Sequence, residues 1–235
     1  NGNMLLTRVT NIGGGGFDDF NDNVRDPAKW MTADLVEEGN FTETNATLLY
    51  TSLGNNAAID RVWKAAAMPY DNNWTAKVDV NIPDWDLNAT AQEYVTIGMT
   101  MVNQENTHKR ISLVLDLNGT EHRFFRSYAY DNSNVVDTNA TATGAIYGAV
   151  RARWDSGNKA MHLEYDENAS DANQTWTQLA AWPLDAGATN WGMSPGDSFL
   201  ISLNAESVNA SVYDTWQIYA DNFEVASALP TITSQ

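Results

Sequence analysis

Apolar and polar residues alternate with period two over most of the chain, most clearly from Gly144 to Glu167. Val150, Ala152 and Trp154 alternate with Arg151 and Arg153; beyond a turn, Met161, Leu163 and Tyr165 alternate with His162, Glu164 and Asp166. Such alternation marks strands with one buried face, so this stretch predicts a long β-hairpin. A two-residue turn at Ser156-Gly157 sets Val150 opposite Leu163, Ala152 opposite Met161, Arg151 opposite His162 and Ala149 opposite Glu164. The apolar side chains then share one face and the polar ones the other.

Similar patterns recur on both sides. Trp74, Ala76, Val78, Val80 and Ile82 face one way and Pro83 ends their strand; Val95, Ile97, Met99 and Met101 mark the next. The segment "RISLVLDLNGTEHRFFRSYAYD" predicts a second hairpin around Asn118-Gly119. A four-residue turn is preferred there because it sets Asp116 opposite Arg123, whereas a two-residue turn would face it with Glu121. "WMTADLVE" and "ATLLYTS" predict strands either side of a Gly39-Asn40 turn, and "TWTQLAAW", "FLISLNAE" and "WQIYADNFEVA" predict the last ones. Ala58 to Ala67 fits a helical face as well as a strand, whereas Asp131 to Thr143 and residues 183–198 read as loops. About a dozen short strands without a long helix predict an all-β, two-sheet antiparallel β-sandwich or jelly roll. The sandwich is expected over 17–227. Residues 1–16, ending in four glycines, read as an N-terminal strand or linker, and 228–235 as a C-terminal tail.

Composition narrows the function classes. The chain has 235 residues, 43% of them hydrophobic, enough for one large β domain. A net charge of -17 argues against nucleic acid as a partner, and the absence of a long apolar run argues against membrane insertion. With no cysteine, disulfides and thiolate metal sites are excluded. Nine Asn-x-Ser/Thr triplets begin at Asn40, Asn45, Asn73, Asn88, Asn118, Asn139, Asn168, Asn173 and Asn209. In a eukaryotic secreted chain they would be glycan acceptors; in an Asn-, Thr- and Ala-rich bacterial chain they arise by chance, the reading preferred here because several sit beside predicted strands where a glycan would crowd the sheet. His108, His122 and His162 lack metal-ligand spacing, and no nucleophile elbow, P-loop or dinucleotide-binding loop is present. The acidic segment Asp166 to Gln174 resembles a calcium loop in its alternating oxygens. It lacks the central glycine and the final glutamate, and reads as a solvated hairpin loop.

Three stretches, "FDDFNDN…DPAKW", "VRARWDSGNKAMHLEYDE" and "QIYADNFEVA", together resemble the concanavalin A-like lectin/glucanase superfamily, laminarinase-like or laminin G-like jelly rolls, from Phe17 to Ala226. The resemblance implies two curved antiparallel sheets, of which the concave one holds carbohydrate. In the laminarinase-like branch an acidic residue of an opening "D-E-F" and an aspartate of the last strand bind a structural calcium. The matching positions are Asp19 and Asp221, with backbone carbonyls near Gly39 completing the shell; alternatively both aspartates only cap turns. The glucanase strand "E-x-D-x-x-E" is absent, its nearest counterpart at Glu164 to Glu167 having the wrong spacing. The alginate-lyase strings "R-x-E-L" and "Y-x-K-x-G" are absent too, so no catalytic residue is assigned.

The candidate carbohydrate-binding residues are Arg151, His162 and Glu164 on one face of the main hairpin, with Arg123 or Arg126 on a neighbouring one. They suit sugar hydroxyls or an anionic sugar, or else form cross-strand ion pairs on an exposed face. Trp182, Trp85 and Trp191 sit in loop-like contexts, and Trp182 is the candidate stacking platform; Trp30, Trp74, Trp154, Trp176 and Trp216 read as core. The expected protein is a secreted or cell-surface (bacterial extracellular) carbohydrate-binding or adhesion module, non-catalytic, with a structural calcium. Its partner is a polysaccharide or glycan, and further domains of a larger surface protein are compatible with this reading. The alternatives are a divergent glycoside hydrolase or polysaccharide lyase using Glu164 and Asp166, and a structural spacer.

Overall fold

The structure is a computed structural model that describes residues 16–31, 35–37, 39–52, 56–84, 93–119, 122–132, 134–168 and 174–227. Its strands are β1 (Gly16–Asp18), β2 (Leu35–Glu37), β3 (Gly39–Thr44), β4 (Thr47–Ser52), β5 (Asn56–Pro69), β6 (Trp74–Asn81), β7 (Tyr94–Asn103) and β8 (Lys109–Asn118). They continue with β9 (Arg123–Asp131), β10 (Asn134–Thr143), β11 (Tyr147–Asp155), β12 (Ala160–Asp166), β13 (Thr177–Pro183), β14 (Ser198–Val208) and β15 (Tyr219–Ser227). Sheet A runs β13-β12-β11-β6-β15-β4-β3, with β1 also on β15; sheet B runs β10-β9-β8-β7-β14-β5-β2. Side chains from the two inner faces fill one core that includes Val78, Val150, Trp154 and Leu163 of sheet A and Ile97, Leu115, Phe125 and Leu203 of sheet B. This is the expected two-sheet antiparallel sandwich. No helix among the described residues is long and apolar enough to cross a membrane.

The main hairpin forms as predicted but with a longer turn. Ala152 faces Leu163, Trp154 faces Met161 and Arg151 faces Glu164, so the turn is the four residues Ser156 to Lys159. Asp155 causes the extension: its Oδ1 accepts the backbone N–H of Gly157 at 2.9 Å and of Asn158 at 3.0 Å, and Lys159 takes a left-handed φ of 52°. The register moves by two residues, so both faces are kept. In the second hairpin Leu117 faces Arg123 and Asp116 faces Phe124. That odd slip turns Arg123 off the face of Asp116, and Arg126 takes the place expected for it.

Other expectations are corrected. Ala58 to Ala67, open between helix and strand from its sequence, is strand, inside β5. Asp131 to Thr143 is mostly the edge strand β10, on which no residue is buried. The turn assigned to Gly39-Asn40 lies at Asn45-Ala46, whose φ values of 53° and 60° match a tight hairpin turn. Gly16 belongs to the sandwich and pairs with Val225. A Cβ there would come within 2.2 Å of the Trp63 ring, so only glycine fits. Residues 1–15 and 228–235 lie outside the described residues.

A buried ion pair joins the sheets through the core. Arg61 of β5 donates from Nη1 to Glu43 Oε1 of β3 at 2.6 Å and from Nη2 to the Phe41 carbonyl at 3.0 Å. Burial pushes the Glu43 carboxyl up to about 7, against the pull of Arg61 and with help from Asp18 and Asp22. Its folded value lies above its ordinary 4.5, so its contribution to stability is complete below that value and is lost as pH rises through about 7. Melting temperature is therefore expected to fall between about pH 5 and 8, by the equivalent of roughly 2–3 kcal/mol. Glu43→Gln should flatten that slope, and an unchanged slope in the variant would refute the assignment.

Candidate functional site

A cavity of about 230 Å³ opens on the outer face of sheet B. Four neighbouring strands build it, and each supplies alternate residues to the same side. β7 gives Tyr94 and Thr96; β8 gives Ser112, Val114, Asp116 and Asn118; β9 gives Arg126, Tyr128 and Tyr130; β14 gives Asn204 and Glu206. The registers place Asp116, Thr96 and Glu206 in one row across β8, β7 and β14, with Val114, Gly98 and Asn204 in the next. At Gly98 the chains run unusually close: a Cβ would lie 2.2 Å from the Leu113 carbonyl oxygen.

The floor is rich in acceptors. Asp116 Oδ2 lies 3.0 Å from Arg126 Nη1 and 3.5 Å from the Tyr128 hydroxyl. Asp116 Oδ1 and Asn204 Oδ1 are both buried and have no hydrogen-bond partner in the protein. Burial pushes the Asp116 carboxyl up to about 6; Arg126 and Tyr128 oppose this, and the charge of Glu206 adds to it. The Tyr94 hydroxyl donates to Glu206 Oε1 at 3.2 Å, and burial with that same charge raises the phenol above its ordinary value. Along β9 the Arg126 guanidinium lies over the Phe124 ring, 4.9 Å from its centroid, and its Nη1 donates to the Tyr128 hydroxyl at 3.0 Å. Arg110 covers Tyr130 at 4.5 Å. Aromatic faces on this wall thus carry guanidinium groups.

Of the residues singled out from sequence, Arg126 lines this cavity and the others lie elsewhere. Arg151, His162 and Glu164 do share one face, but it is the outer face of sheet A. There Arg151 Nε donates to Glu164 Oε2 at 2.6 Å, Arg153 lies 3.5 Å from Glu164 Oε1 and His162 Nδ1 is 3.2 Å from Gln178 Oε1. Arg151 also stacks over Trp176, 4.2 Å from the ring centroid, which places Trp176 on this face and not in the core. Arg123 belongs to sheet B and is 6% exposed; it is held by the Ile82 carbonyl at 3.0 Å and Asp84 at 2.8 Å. Trp182 is 4% exposed, opposite Met161, and presents no ring face for stacking. Trp191 is buried as well, and Trp85 lies outside the described residues. Asp166 is buried and caps its own loop, accepting the N–H of Asn168 at 2.8 Å and of Thr175 at 2.6 Å.

The two candidate calcium ligands come near each other, because β1 lies beside β15. Burial pushes the Asp221 carboxyl up to about 6, opposed by the Asn222 N–H and assisted by the charges of Asp79 and Asp19. Asp79 Oδ2 accepts the Tyr147 hydroxyl at 3.2 Å and Asn222 Nδ2 at 3.0 Å, while its buried Oδ1 has no partner. Asp18, and not Asp19, is the buried aspartate of its segment, accepting the indole N–H of Trp30 at 2.6 Å. Among the described residues no three acidic or histidine side chains converge closely enough to enclose a metal ion.

No family model and no curated protein matches the sequence. Solved structures do match the fold. An endo-1,3-β-glucanase from Streptomyces sioyaensis superposes with a TM-score of 0.56 at 12% identity, covering 92% of this chain and 98% of its own. Lectin II from Ulex europaeus gives 0.54 at 7% identity, covering 92% and 99%. A pseudo β-1,3-glucanase of Mycobacterium tuberculosis gives 0.53 at 12% identity, covering 91% and 98%. The chain has the concanavalin A-like lectin/glucanase fold, on which both sugar-binding and sugar-cleaving proteins are built.

Proposed function

We propose that the protein is a carbohydrate-binding or adhesion module that holds a glycan in the groove of sheet B. The observation that carries this reading is the pair of buried, unpartnered acceptors, Asp116 Oδ1 and Asn204 Oδ1, on the groove floor. A buried acceptor left without a donor costs about 1–3 kcal/mol, and sugar hydroxyls are donors that can satisfy such acceptors. The lectin named above fits the same reading. The chain acts at the cell surface or outside the cell, where polysaccharide partners are met.

A glycan array probed with the intact chain, with and without calcium, tests this. For the best ligand, Asn204→Ala is expected to weaken binding at least about tenfold, the equivalent of one lost hydrogen bond in a buried site. Arg151→Ala on sheet A should leave it unchanged. The opposite pattern would move the site to sheet A and overturn the groove assignment.

Hydrolysis is the second reading, favoured by Asp116 and Glu206. They sit in one row two strands apart, so their Cα atoms are separated by about 10 Å. Inverting glycosidases use carboxyl groups about 6.5–9.5 Å apart, with room for a water between them. Release of reducing ends from the bound polysaccharide, lost in Glu206→Gln, would establish this reading; binding without turnover would remove it.

We also propose a structural calcium held by Asp19 and Asp221. The donors fit in kind: hard oxygens, crowded like charges and, on the strand next to Asp221, the unpartnered Asp79 Oδ1. They fall short in number, so backbone and solvent oxygens would supply most of the shell. Chelator treatment is expected to lower the melting temperature by several degrees, and Asp221→Asn should remove that response. A melting temperature indifferent to chelator and to added calcium would dispose of the site.

A further inference from the structure

The nine Asn-x-Ser/Thr triplets exceed chance. Ser and Thr make up about 15% of the chain, so about four of its asparagines would carry one two places on. At five of the seven described triplets the structure removes the objection that a glycan would crowd the sheets. Among the described triplets, Asn45 sits in the β3–β4 turn, Asn73 in the β5–β6 turn, Asn168 just after β12 and Asn209 just after β14, all exposed. Asn40 is exposed on β3, the edge strand of sheet A, with its Nδ2 2.8 Å from Thr42 Oγ1, the hydroxyl of its own triplet. By contrast, the buried Asn81 and Asn103, and Asn204 with its buried amide oxygen, carry no Ser or Thr two places on. No fully buried asparagine among the described residues starts a triplet, and five of the seven described triplets start at an exposed one.

We propose that Asn40, Asn45, Asn73, Asn168 and Asn209 are acceptors for N-linked glycans, whereas half-buried Asn118 and Asn139 remain bare. The step is a glycosyl transfer. Asn Nδ2 bonds to the anomeric carbon of a sugar as the bond from that carbon to the phosphate oxygen of a polyprenyl-phosphate-linked donor breaks. The amide releases one proton, the lipid-bound phosphate leaves as the anion, and nothing is oxidised or reduced. The Ser or Thr hydroxyl at the third position is what the transferase reads.

The test is peptide-by-peptide mass spectrometry of the protein purified from the organism that makes it. Sugar-sized mass increments are expected on the five exposed asparagines and not on Asn118 or Asn139. Thr42→Ala and Ser211→Ala, which keep the asparagine, should remove the increments from Asn40 and Asn209 respectively. Unmodified mass at all five positions overturns the proposal. Occupancy of Asn118 and Asn139 with the exposed sites bare would overturn it equally, since it would break the link to exposure. Neither result bears on glycan binding in the groove.

Discussion

Arg61→Leu is expected to lower stability by about 1–3 kcal/mol, read as a shift of the urea midpoint, because it takes the charged partner from a carboxyl held between two sheets and leaves a buried carbonyl unpaired. In the native protein the Arg61 and Glu43 side chains are 4% and 2% exposed, and 2.6 Å separates their charged atoms. The guanidinium also serves the Phe41 carbonyl at 3.0 Å and lies 5.7 Å from the centre of the Phe41 ring. Removing it leaves Glu43 to be protonated or to drag water inward, and leaves a buried carbonyl unpaired. The double variant Arg61→Leu/Glu43→Leu should recover most of the loss, since replacing both members of a buried pair with apolar groups is often near neutral. A loss below about 1 kcal/mol in the single variant would mean that the pair behaves as a solvated one.

Trp154→Ala should cost more, about 3–5 kcal/mol, through the cavity it leaves. Trp154 is fully buried, with ring centroids 5.3 Å from Tyr70 and 5.0 Å from Phe199. Its indole N–H donates to the Tyr70 carbonyl at 2.8 Å, so truncation also orphans an acceptor. Trp154→Phe should fill much of the space and cost about half as much. Equal losses in the two variants would assign the effect to the hydrogen bond instead of the packing.

The position of Trp154 was legible in the sequence, and so was the class of fold. Alternation along Val150, Ala152 and Trp154 needs only the two-residue repeat of a strand, which is a local property. Turn length was not legible, because it depended on Asp155 reaching back to two N–H groups. β10 escaped notice because Thr, Asn and Ala dominate both of its faces and give no contrast. The groove was half legible. Ser112, Val114 and Asp116 alternate with leucines, and Ser202, Asn204 and Glu206 with apolar residues, so the solvent sides of β8 and β14 were visible. What the pattern lacked was adjacency: β7 and β14 are hydrogen-bonded neighbours although some hundred residues separate them, and nothing local pairs Asp116 with Glu206. The local pattern instead singles out Arg151, His162 and Glu164, the polar face of one hairpin, where Arg151 pairs with Glu164 and His162 meets Gln178.

The pairing of β1 with β15 also has a mechanical consequence. Gly16 lies opposite Val225, so the first and last described strands run side by side as antiparallel neighbours. Tension applied through those two points would bear on one rung at a time and peel the three residues of β1 away like a zipper, instead of shearing a whole ladder at once. Pulled this way, the sandwich should yield at low force from that corner, with the sheet B groove among the last parts to open.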